Sequence, residues 1–365
     1  MSIDQATSED RVDGFARRLV GLVRSPAVRE GVLLPVVVIL IALGIGAILL
    51  AVQSVPVIEA YQAALRGAFG SVRALVSTAT TATPLIFTAL GIALAYRAGL
   101  ITIGAEGQFL IGAVAAVAVV TAPALSSVPG PVRLLAGLLV AAIAGGLWSM
   151  ISGVLSARFG ASVVITSLLL NYVAQAVIAW ATRVGMPDPE AFTPQTRGVG
   201  DAALPDLPGT TLHVGFFIAL IAAAAMWTVL HRGRMGLRIG VMGSGGEVLR
   251  AKETHSGRYS VLILGIAGCA AGVAGFVEVA GVTERITGAF SGAVGFTAIM
   301  VALLGRLHPV GIVLASIAMS ALEVGFASAS RSLRIPSTTV DILQAVSILL
   351  FVVGAALLQR RKEAR

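Results

Sequence analysis

Cysteine occurs once in this chain of 365 residues, at Cys269, inside an apolar run. No intrachain disulfide can form, and a metal centre built on thiolates is excluded. Histidine is nearly as scarce, and His213, His231, His255 and His308 fall in no HExxH or comparable zinc-binding spacing. Lysine stands only at Lys252 and Lys362, and neither follows a glycine. A phosphate-cradling GK[ST] loop is therefore missing, and the chain is no ATPase by that route. GxSxG is also absent. The glycine-rich stretch MGSGG at 242–246 follows no strand and reads as a hinge. No catalytic residue, metal site or bound cofactor is assigned.

Charge is the second shortage. Only 12% of residues are charged and 57% are hydrophobic, whereas soluble domains carry about a quarter charged residues. The composition is that of a polytopic membrane protein. Its excess of 26 Lys and Arg over 18 Asp and Glu suits loops that resist translocation and gives no sign of a nucleic-acid partner.

Ten apolar runs follow one another: 33–52, 74–96, 103–120, 132–155, 163–181, 212–230, 259–282, 292–304, 310–327 and 339–358. The expected fold is all-α, with about ten transmembrane helices. The first run is 20 residues long, longer than a signal peptide's apolar core, so no cleavable leader is expected. An arm at 1–31, a membrane domain at 32–358 and a tail at 359–365 complete the division. With both ends in the cytoplasm, 18 of the 26 cations fall on the inner side, the bias that topology requires. The run at 292–304 is too short to cross alone as a straight helix and reads as a half-helix.

The loop at 231–258 holds six cations: Arg232, Arg234, Arg238, Arg250, Lys252 and Arg258. It belongs in the cytoplasm, and its glycine hinge leads into good helix formers, GEVLRAKETH. A helix gripped by a soluble partner is expected there, carried by Gly245, Gly246, Glu247, Arg250, Lys252 and Glu253; a solvated loop with no partner is the alternative. The loop at 183–211 carries five prolines and nearly balanced charge, and suits an external cap or docking surface.

Within the apolar runs, TATTATP around Pro84 suggests a broken helix lining a path, with Thr80, Thr81 and Thr83 on it. Gln108 and Asn171 are further path candidates, and Gly104 and Gly107 permit close backbone approach. Glu106 stands where a helix begins and is expected to tie that end to a neighbouring loop or to cap backbone amides. The other acidic groups in or near spans are Glu278, Glu323 and Asp341. Along the sequence none forms an obvious mid-membrane pair, which argues against an ion-coupled carrier without removing that alternative. The stretch GLITIGAEGQFLIG at 99–112 faintly echoes GFTAIMVALLGRLHPVG at 295–311 in glycine spacing. Five spans separate them, so a repeat would be an inverted one.

AYRAGLITIGAEGQFLIGA, ITSLLLNY, GFTAIMVALLGRLHPVGIVLAS and STTVDILQAVSILLF occur in that order. Together they resemble the permease subunits of ATP-binding-cassette importers for nucleosides and simple sugars, within the broader ribose and branched-chain amino acid permeases. The resemblance covers about residues 33–358. It implies an inner-membrane importer subunit that hydrolyses no ATP itself. The implied partners are a second permease as homo- or heterodimer, two cytoplasmic ATPases, and an extracellular or lipid-anchored binding protein. It also places a coupling helix near 245–255 and a path near the spans at 74–96, 103–120, 163–181 and 292–304. Gly305, in the motif GRLHPVG, is a structural position in that reading. Thr102 stands where the family usually has Asn, and Thr297, a path residue, where it usually has Asp. The coupling loop lacks the usual Asn and carries Lys252–Glu253 in place of a small Ala–Gly pair. A branched-chain amino acid or another small solute is the alternative cargo.

Overall fold

The structure, a computed structural model, describes residues 44–52, 55–243, 253–288, 290 and 293–334, with positions 339, 342, 345 and 346 besides. The described residues of 60–334 form one compact unit, to which 44–59 do not belong. Eleven helices are described: α1 Gly44–Val52, α2 Val57–Phe69, α3 Val72–Arg97, α4 Ala105–Val120, α5 Gly130–Phe159, α6 Val163–Trp180, α7 Gly215–Arg232, α8 Arg234–Gly243, α9 Glu253–Glu278, α10 Val294–Leu304 and α11 Pro309–Leu333. No strand occurs among the described residues; only three isolated bridges do.

Six of these helices are long and apolar enough to cross a bilayer, or seven if Gly44–Val52 and Val57–Phe69 count as one broken span. The expected run at 339–358 lies almost wholly outside the described residues, as do most of the run at 33–52 and the arm at 1–31. Two further expected spans are half-helices. At 16 and 11 residues, α4 and α10 reach only about 24 and 17 Å at 1.5 Å per residue, short of a ~30 Å hydrocarbon core.

Local chemistry sets the helix ends. Ser71 caps α3 by accepting a hydrogen bond from the Ala74 amide at 3.1 Å. Gly160 ends α5 in the left-handed region at φ +67°, where a side chain would be strained. Pro84 lies inside α3, which nevertheless runs unbroken for 26 residues, so the expected break is absent. The Thr83 hydroxyl donates to the Ala79 carbonyl of its own helix at 2.9 Å.

The core is built by α9 lying against α3, α4 and α5. Small residues set that approach. A Cβ placed on Gly112 would overlap the Cα of Gly272, and one on Gly145 would stand 2.5 Å from the Gly268 carbonyl oxygen. These backbones touch, as dispersion-driven packing in lipid favours. Leu135, Leu139, Ile143 and Leu147, four apart along α5, are exposed, and their stripe suits lipid or an apolar neighbour.

Candidate functional site

The first turns of the two half-helices meet. A Cβ on Gly295, at the start of α10, would overlap the Glu106 backbone at the start of α4. Glu106 Oε2 accepts a hydrogen bond from the Gly295 amide at 2.7 Å. Glu106 is only 1% exposed. Each helix start carries partial positive charge and amides without intrahelical partners. The carboxylate, itself in the first turn of α4, answers an amide at the start of α10, and this juncture joins the two stretches that the glycine pattern had matched.

The start of α4 is further clamped from α6 and α5. Asn171 Oδ1 accepts from the Gly107 amide, and Asn171 Nδ2 donates to the Ile103 carbonyl, both at 2.9 Å. Ser167 Oγ accepts from the Ile103 amide at 3.2 Å. Gln108 Nε2 donates to Ser149 Oγ at 3.0 Å. Gly104 and Gly107 permit these contacts: a Cβ on Gly104 would stand 2.8 Å from Ser167 Cβ, and one on Gly107 2.9 Å from Asn171 Oδ1. Thr83 spends its hydroxyl on its own helix, and the Thr80 hydroxyl oxygen is buried with no hydrogen-bond partner among the described residues.

A cavity of about 330 Å³ lies on the other side of α3. Thr81 and Pro84 of α3, Thr297 of α10 and Glu323 of α11 line it, with Glu278 at the end of α9 and Phe290 beyond it. Of the six residues named from sequence as path candidates, Thr81 and Thr297 share this wall; Thr80, Thr83, Gln108 and Asn171 do not line it. The structure also brings together Glu278 and Glu323, which sequence spacing had left as separate carboxylates on two different runs. Each is the one carboxylate amid a long uncharged stretch, and that rarity was the available signal. Thr287 and Phe290, which fall between the apolar runs at 259–282 and 292–304, line the cavity as well. No Lys, Arg or His is among the described residues that line it. Its volume falls within the roughly 300–1,000 Å³ of small-molecule sites.

At the opposite end of α3, Arg97 Nε donates to the Leu307 carbonyl at 2.8 Å. Leu307 sits in the tight turn from α10 to α11, where Arg306 and Leu307 have φ of +56° and +55°. Gly305 permits that turn, since its Cβ would stand 2.5 Å from the Ile312 amide. The His231 and His308 rings lie edge to face at 5.4 Å. Burial lowers the pKa of His308, with the nearby charges of His231 and Arg97 acting in the same direction. Helix α8 is seated through Gly243, whose Cβ would overlap the Arg97 carbonyl oxygen. Gly245, Gly246, Glu247, Arg250 and Lys252 lie outside the described residues, and Glu253 is the first residue of α9.

The chain matches the family described as branched-chain amino acid transport system / permease component over residues 74–354. This chain belongs to that family. It is a multi-pass membrane protein and a permease subunit, not itself an enzyme. A permease component of such a system works with separate ATPase and substrate-binding partners. It is 34% identical to a guanosine ABC transporter permease of Bacillus subtilis, over 88% of this chain and 93% of the relative. It is also 34% identical to a glucose ABC transporter permease of Haloferax volcanii, over 87% of this chain and 86% of the relative. A nucleoside ABC transporter permease of Lactococcus lactis is 28% identical over 80% of this chain and 83% of its own length. No solved structure matches.

Proposed function

We propose that this permease carries a nucleoside or a related simple sugar inward across the inner membrane, with Thr81 and Thr297 on its path. The observation that carries the reading is the lining of the 330 Å³ cavity: two carboxylates, several threonines and no described cation. An amino acid would bring its own carboxylate against Glu278 and Glu323 with nothing positive to receive it, a like-charge arrangement disfavoured in low dielectric. A neutral polyol meets no such penalty. The guanosine, glucose and nucleoside permeases among its relatives carry names that agree with this reading.

In this reading the ATPases grip the loop at 231–258, with Gly245, Gly246, Glu247, Arg250, Lys252 and Glu253 as contact positions. The arm at 1–31 and the tail at 359–365 lie in the cytoplasm, and the loop at 183–211 lies outside. Two permeases, alike or different, pair above two ATPases and receive cargo from a binding protein. Glu106, Gly104, Gly107 and Gly305 hold the half-helices, with Asn171 and Gln108 bracing them beside the path.

Uptake by the reconstituted transporter tests the reading. ATP-dependent accumulation of guanosine or glucose, without accumulation of leucine, is the expected result. Leucine carried in their place would sink it. Replacing Glu247 or Arg250 by Ala is expected to leave basal ATPase activity in place while uptake falls; normal coupling in both variants would remove the gripped loop.

A further inference from the structure

The cavity has chemically distinct walls. Glu278 and Glu323 reach it from different helices, and neither has a hydrogen bond or ion pair to a described residue. An intramembrane carboxylate with no donor among the described residues can take one from water or from a ligand. Two such groups offer acceptors to two donors at once. Phe290 presents an aromatic wall in the same space. Its ring is held by stacking on Phe109 behind it, with centroids 5.5 Å apart and planes 19° apart. Phe109 is fully buried, so the orientation of the pair is fixed by packing.

We propose that Glu278 and Glu323 form a sugar subsite, each accepting a hydrogen bond from one of two adjacent hydroxyls of the cargo, with the planar base lying against Phe290. This rests on the cargo reading above and narrows it to a ribonucleoside. Thr81 and Thr297 supply hydroxyls that both donate and accept, and so tolerate different bases. A deoxy cargo leaves a carboxylate without its donor, and an unanswered buried acceptor discriminates more strongly than a missing apolar contact.

The experiment uses the whole transporter, permease with ATPases and binding protein, in proteoliposomes. ATP-dependent uptake of guanosine and of 2′,3′-dideoxyguanosine is compared for the wild type, E278Q and E323Q. The binding protein is the same throughout, so a change in ratio belongs to the permease. Each variant is expected to lose about tenfold of the preference for guanosine, with dideoxyguanosine uptake changed by less than about threefold. Variants that keep the wild-type ratio overturn the subsite. Where a variant carries neither compound, the readout is the thermal midpoint of the permease–ATPase complex without binding protein. Guanosine is expected to raise the wild-type midpoint more than the dideoxy compound does; a difference that persists in the variants overturns the proposal, and its loss supports it. A wild type that carries leucine and neither guanosine nor glucose overturns the cargo reading and the subsite together. A wild type that carries glucose but not guanosine overturns the placing of a base on Phe290.

Discussion

The two sides of α3 are built by opposite rules. On one side α4, α5 and α9 close on each other through glycines until backbone meets backbone, as Gly112, Gly145 and Gly272 show. On the other, α3, α10 and α11 stand apart around 330 Å³ of space lined by threonines and carboxylates. Tight packing needs only small side chains and dispersion, with no polar device. Open space needs polar groups that a cargo can answer. The contrast assigns rigidity to the first side and selection to the second, and substitutions on the two sides should fail in different ways.

The largest effect is expected at Gly272. A Cβ there would overlap the Ala141 carbonyl oxygen, and neither backbone can yield as a flexible side chain would. Gly272→Leu should cost about 3 kcal/mol or more and remove the monodisperse protein recovered from the membrane. Thr297→Val on the hollow side should leave that yield within about twofold while uptake falls. Normal yield from Gly272→Leu would show that the sealed side is not sealed.

Next in size is Arg97, which stands beneath the hollow side. Its guanidinium joins the end of α3 to the turn between α10 and α11 at Leu307, and its carbonyl meets Gly243 of α8. Three of the cavity-lining helices, α3, α10 and α11, therefore meet one contact from the basic loop. Arg97→Ala should lower uptake about tenfold with ATPase turnover retained, and Arg97→Lys should restore little, because Lys lacks the planar fork that aims a donor from Nε. Uptake and ATPase activity falling together would make the residue merely structural.

Sequence reading reached the class and much of the fold for particular reasons. Scarce charge and long apolar runs dictate membrane helices. GAEGQ and GRLHPVG mark the two stretches whose helices meet at Glu106 and Gly295, and their glycine spacing was visible because close approach demands glycine. The depth of α4 was less legible, since an apolar run gives composition but not whether neighbours let a helix stop halfway. Glu278 and Glu323 are 45 positions apart, and no periodicity within either helix announces a partner on the other. Asn171 and Gln108 looked like path residues because polar groups in spans often are. Here their hydrogen bonds go to the Gly107 amide, the Ile103 carbonyl and Ser149, and only tertiary structure reveals such a debt to the backbone. TATTATP suggested a break because proline removes a helical bond, yet α3 runs whole through Pro84.

The smallest expected effect concerns pH and lies at neither side of α3 but above both, in the segment leading into α7. His213 is fully buried, and its two ring nitrogens have no hydrogen-bond partner among the described residues. Gly281 accommodates the ring, since a Cβ there would stand 2.7 Å from His213 Cδ2. Burial lowers the imidazole pKa below its ordinary value, with the Asp206 charge opposing. The unfolded chain therefore binds a proton at higher pH than the folded one. Stability holds above about pH 6.5, the ordinary histidine value, and is lost progressively as pH falls from there towards the lowered folded value. His213→Phe, which keeps a planar ring without a titrating nitrogen, should flatten the thermal midpoint between pH 7 and pH 5 in detergent. Gly272 variants that still fold should keep the wild-type slope, because a Cβ at Gly272 meets the backbones of Ala141 and Gly145 and no titrating side chain. A slope unchanged by His213→Phe would show that His213 is not the source of the acid sensitivity.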